Sequence, residues 1–148
     1  MLGSRRGGSM AQNANDGWRG FRIDQLVNKA RMSVPRCMPD LVTLNAGSND
    51  CRQDYDIDAA GERMETLLRC VWDAAPEATV LLSTLIVNAD EAVEARVKRV
   101  NEQFVDVVRR AERDGKRCVL VDMHCAQGPR VKELVDGSHP NDEGLMYM

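Results

Sequence analysis

A chain of 148 residues has room for one domain around one core. Hydrophobic residues make up 43% and charged residues 29%, ordinary for a globular protein, and a net charge of −3 leaves no footprint for nucleic acid or an anionic membrane. Aromatics at 4% are too few for a stacking platform, and no apolar run nears the roughly 20 residues of a membrane span.

The stretch from Met1 to Ser9 is basic with no apolar segment behind it, so it does not read as a secretory signal. Residues Gly3 to Gly20 have the Gly, Ser, Asn and Asp content of a loop. Ile23, Leu26, Val27 and Ala30 then recur at helical spacing, which predicts a short helix from Asp24 to Ser33, broken by Pro35 and Pro39. The apolar run from Leu41 to Ala46, closed by Gly47, reads as a buried strand. Asp58 is placed to cap a helix whose inner face is Met64, Leu67, Leu68 and Val71, ending before Pro76. Thr79 to Leu85 is the next strand. Val93, Val97, Val100, Phe104, Val107 and Ala111 mark one face of a long amphipathic helix that Gly115 ends. Cys118 to Asp122 is the third strand, and Asn141-Asp-Glu opens a last helix.

Alternating helices and continuous apolar strands are the pattern of a parallel sheet covered on both faces. Ligands of such sheets sit at the carboxyl ends of the strands, here just after Ala46, Leu85 and Asp122. The five cysteines, Cys37, Cys51, Cys70, Cys118 and Cys125, include no CxxC pair. Buried or incidental thiols fit them best. A Cys37 to Cys51 bridge is left open, and no two-plus-two ligand spacing exists for zinc.

Three short segments carry the chemistry. Gly47-Ser48-Asn49-Asp50 follows the first strand. An asparagine there can donate its side-chain amide to a developing oxyanion, although the same residue types also build plain turns. Asp136-Gly-Ser-His139 sets a carboxylate three residues before an imidazole. That spacing can fix the ring tautomer and leave the other nitrogen free as a base, or can simply make a polar turn. Asn15-Asp-Gly-Trp-Arg-Gly20-Phe-Arg-Ile-Asp puts a glycine ahead of a helix, where backbone N–H groups can meet an anion.

Taken in order, Leu2-Gly-Ser, Gly8-Ser-Met, Gly17-Trp-Arg-Gly-Phe-Arg-Ile-Asp, Pro39-Asp-Leu-Val-Thr-Leu-Asn-Ala-Gly-Ser-Asn-Asp and Asp136-Gly-Ser-His-Pro-Asn-Asp-Glu-Gly resemble the SGNH hydrolases, or GDSL-like lipases and acylhydrolases. The likeness leans to the branch of carbohydrate esterase family three, the acetylxylan esterases and their fungal relatives. It implies a three-layer α/β/α sandwich around a parallel sheet, flavodoxin-like, with strand order 2-1-3-4-5. It implies a Ser-His-Asp acyl-enzyme mechanism without a cofactor. Gly20 and Asn49 would be oxyanion-hole donors, with Gly17 a weaker candidate for the glycine role. His139 would be the general base and Asp136 its orienting partner. The substrate would be an ester, of carbohydrate or of lipid.

One block of that family has no counterpart. Gly-Asp-Ser, which carries the nucleophile, occurs nowhere in the chain. Ser4, Ser9, Ser48, Ser83 and Ser138 match no nucleophile position. The expectation is therefore a single esterase domain, residues 1–148, lacking the family's first strand and helix and the end of its last helix, and nearly inert by itself. The strand at Leu41 would then be an open edge beside an exposed apolar face. A lysophospholipase-like or thioesterase-like acylhydrolase, or a non-catalytic remnant, is the alternative. Compartment and oligomeric state are left open.

Overall fold

The computed structural model describes residues 16–147. The Leu2-Gly-Ser and Gly8-Ser-Met blocks, Ser4 and Ser9 lie outside the described residues. The three apolar runs become β1 (Leu41–Leu44), β2 (Thr79–Ser83) and β3 (Cys118–Val121). They pair in parallel in the order β1-β2-β3. The register aligns Val42 with Val80 and Val80 with Cys118. With side chains alternating across a strand, Val42, Leu44, Val80, Leu82, Cys118 and Leu120 share one face.

That face holds the core. Val80, Leu82 and Cys118 are buried with residues of two helices, α3 (Ala60–Ala74) and α4 (Glu91–Arg113). Strands laid down in sequence order with right-handed crossovers keep both crossover helices on the same side. The other face is open among the described residues: Leu41 is 55% exposed and Val119 49%. Thr43, Leu81, Ser83, Val121 and Met123 line a shallow hollow there. Residues 16–147 thus display the sheet and one helical layer of the sandwich.

The helices differ from the sequence expectation at their ends. α1 (Ile23–Cys37) runs four residues past Ser33 and carries Pro35 in its last turn. A proline there removes only one late N–H, and the Met38 amide still closes the turn on the Val34 carbonyl at 2.9 Å. Its inner residues Ile23, Val27 and Ala30 join the core. Asp58 does not cap α3. It lies inside a 3-10 turn, Ile57–Ala59, and its carboxylate meets Arg99 of α4 instead. The orphan amide of Gly61 in the first turn of α3 is satisfied across the interface by Gln103 Oε1 at 2.8 Å. α4 is capped by Asp90, which accepts from the Ala92 and Val93 amides, both at 2.9 Å. It buries Val97, Val100, Phe104, Val107, Val108 and Ala111.

All five cysteines are free thiols. Cys37 is exposed at the end of α1 whereas Cys51 is buried in α2 (Ser48–Gln53), so the bridge left open from spacing does not form. Burial pushes the Cys51 thiol up to about 12. No described helix is long and apolar enough to cross a membrane.

Candidate active site

The carboxyl end of β1 turns into α2 through Gly47, at φ +121, a backbone conformation that a side chain would strain. A Cβ at Gly47 would meet Leu85, Ile23 and Phe104 only at ordinary contact distance, so the backbone conformation is what calls for glycine. α2 then divides by face. Asp50 and Cys51 turn inward, while Ser48, Asn49 and Arg52 line a cavity of about 250 Å³. Asp50 is fully buried. It accepts from the Ile23 amide and from Arg63 Nη2, each at 3.0 Å, which ties the start of α1 to α2 and α3. Burial pushes its carboxyl up, and the two hydrogen bonds work against that.

Asn49 Nδ2 donates to the Phe21 carbonyl at 3.0 Å. One amide hydrogen is thereby anchored, which fixes the plane of the group and leaves the second hydrogen available. Gly20 sits next to Phe21 at φ +80, and its carbonyl accepts from Gln53 Nε2 at 3.4 Å. Neither Gly20 nor Gly17 lines the cavity.

The opposite wall is the turn Asp136–His139. Asp136 Oδ1 accepts from the Ser138 and His139 amides at 3.0 and 2.9 Å, so the carboxylate folds its own turn. His139 Nδ1 lies 2.8 Å from Asp136 Oδ2. The imidazole and then the two backbone donors hold the Asp136 carboxyl down to about 2. Gly137 needs its φ of +78, and a Cβ there would stand 2.9 Å from Ala89 Cβ. His139 Nε2 makes no hydrogen bond among the described residues, and no serine there is paired with it.

The third wall follows β2, where Ile86, Val87 and Asn88 line the cavity. The sequence rule pointing past Leu85 singled out no residue there, yet Asn88 is central. Its Nδ2 donates to Ser138 Oγ at 3.1 Å, and the neighbouring Ala89 amide donates to the Gly137 carbonyl at 2.9 Å. Its own amide donates to Glu94 Oε2, whose other oxygen meets His124 Nε2 at 2.9 Å. The chain's second histidine is therefore taken up in holding the β2–α4 loop. Asn49 and His139 thus line one cavity at the carboxyl ends of the strands, with Asp136 behind His139. Among the described residues no three His, Cys, Asp or Glu side chains group to hold a metal ion.

The GDSL-like lipase/acylhydrolase family profile matches residues 2–145. The chain belongs to that family. Solved structures with the same fold include a carbohydrate esterase family 3 protein from Talaromyces cellulolyticus, with TM-score 0.82 and 22% identity over 91% of this chain and 66% of that one. A family 3 carbohydrate esterase from Clostridium thermocellum gives TM-score 0.80 and 19% identity over 99% and 71%. An acetylxylan esterase mutant from Geobacillus stearothermophilus gives 0.71 and 20% over 90% and 67%. At these identities the likeness speaks for the fold. The chain spans about two thirds of the length of these structures. No curated protein matches the sequence. No Gly-Asp-Ser occurs in the 148 residues.

Proposed function

We propose that this chain supplies the base and an oxyanion donor of a carboxylic ester hydrolase that removes small acyl groups, on carbohydrate in the manner of the acetylxylan esterases it is similar to. The observation that carries the reading is the shared cavity, with the Asp136–His139 pair on one wall and Asn49 on the other. In this reading Asp136 holds the proton on Nδ1, so Nε2 is the basic nitrogen that takes a proton from the attacking group. Asn49, its amide plane set by Phe21, donates its second hydrogen to the oxygen that gains charge as the carbonyl becomes tetrahedral. Gly20, the glycine donor that the resemblance implies, does not line this cavity, so Asn49 carries the oxyanion role in this reading. No Gly-Asp-Ser occurs in these 148 residues, so in this reading the chain alone is nearly inert.

The test compares the chain with a version carrying a Gly-Asp-Ser segment ahead of Met1, on p-nitrophenyl acetate, acetylxylan and a lysophospholipid. The extended version should hydrolyse the first two with an acyl-enzyme burst. His139→Ala should cost on the order of 10³-fold or more in kcat and Asn49→Ala about 10²-fold. Preference for the lysophospholipid would replace the carbohydrate reading. Burst turnover by the 148-residue chain itself would mean that one of its own side chains is the nucleophile.

A further inference from the structure

The cavity has a charge that the proposed chemistry leaves unused. Among the described residues twelve line it, none of them Asp or Glu, and Arg52 and His139 are the basic ones. In a chain of net charge −3 that is a local reversal of sign. Four carboxylates close by in sequence are committed elsewhere. Asp50 is turned inward onto Arg63, Asp54 pairs with Arg96 at 3.3 Å, and Asp136 is bound by His139. Glu94 holds His124 and the Asn88 amide. Arg52 forms no ion pair among the described residues, and residues 1–15 contain no Asp or Glu to offer one. Arg52 stands three residues after Asn49, one helical turn along the same face of α2. Its guanidinium fork is suited to a carboxylate, which it can grip with two parallel hydrogen bonds.

We propose that Arg52 is a specificity-determining residue of this cavity and selects esters bearing a carboxylate within a few bonds of the ester carbonyl. This rests on reading the cavity as the ester site. The small volume and the one-turn offset from Asn49 restrict the choice to compact substrates. The carboxylate can come from the acyl part or from the alcohol part, and the guanidinium chemistry is the same for both.

The experiment follows binding rather than turnover, so it does not depend on a nucleophile. The native 148-residue chain is titrated with four esters while the His139 ring signals are followed by NMR, with His124 as internal reference. Monomethyl succinate carries the carboxylate on the acyl side and acetoxyacetate on the alcohol side; dimethyl succinate and methyl acetoxyacetate are their neutral partners. At least one anionic ester should bind about tenfold tighter than its neutral partner, and the arm that does so locates the charge. Arg52→Gln should erase the difference, Arg52→Lys should keep part of it, and added salt should shrink it. Circular dichroism of the variants checks the fold, which an exposed side chain should leave intact. Equal binding within each pair, a preference that survives Arg52→Gln, or no response at His139 to any ester would overturn the proposal. Equal binding together with His139-dependent hydrolysis in the extended version would leave the esterase reading standing and remove this one. Arg52-dependent binding without such hydrolysis would do the reverse.

Discussion

Asp136 and His139 stand three residues apart, close enough for one turn to join them whatever the rest of the chain does. Both are largely exposed, so the pair is held by local hydrogen bonds and not by packing. Its pH behaviour follows from the sign of the shift. The Asp136 carboxyl lies at about 2 in the folded chain against an ordinary 3.8, so the folded state favours the ionised form. That stabilisation is present above about pH 4 and is lost as pH falls through about 2. The Asp136 carboxyl carbon should therefore titrate near 2 by NMR. His139→Ala should move the midpoint up without restoring 3.8 fully, since the Ser138 amide and the amide of residue 139 remain as donors. An unchanged midpoint would show that the imidazole contributes nothing.

At the scale of the elements, sequence reasoning saw the cores of the strands and helices better than their ends. Period and capping rules placed all three strands and the long helices, because those rules depend on neighbours in sequence. They misplaced the role of Asp58, settled by a partner 41 positions away, and the end of α1, settled by a closing hydrogen bond. Asn101 is the clearest case. On the sequence it is a polar residue in an amphipathic helix. In the fold its side chain accepts from the Leu85 amide at 2.8 Å and donates to the Leu85 carbonyl at 3.0 Å, continuing β2 where the sheet has run out of strand partners. Leu85 is itself buried. Asn101→Ala should leave both backbone groups without partners and cost about 2 kcal/mol in urea unfolding. A loss below a few tenths of a kcal/mol would mean that water replaces the side chain there.

At the scale of the whole fold, the decisive feature is a sheet that, among the described residues, is dressed on one side. The β1 edge and the face bearing Leu41 and Val119 are exposed, and unpaired strand edges beside apolar surface promote association. The chain should self-associate in a concentration-dependent way by light scattering or sedimentation. Leu41→Lys with Val119→Lys should suppress this without loss of helical signal, because neither side chain belongs to the buried core. Monodisperse monomer at high concentration would show that the face is tolerated in water. Period-2 and period-3.6 patterns, the turn glycines and the Asp136–His139 spacing were properties of the sequence by itself, because each acts over a few residues. The cavity was decided only by tertiary structure. Asn49, Asn88, Arg52 and His139 come from three separate crossings of the sheet, and parallel pairing is what brings those crossings to one end. Which polar residues face the cavity, and which carboxylates are turned away from it, depends on contacts between distant segments that no local pattern encodes.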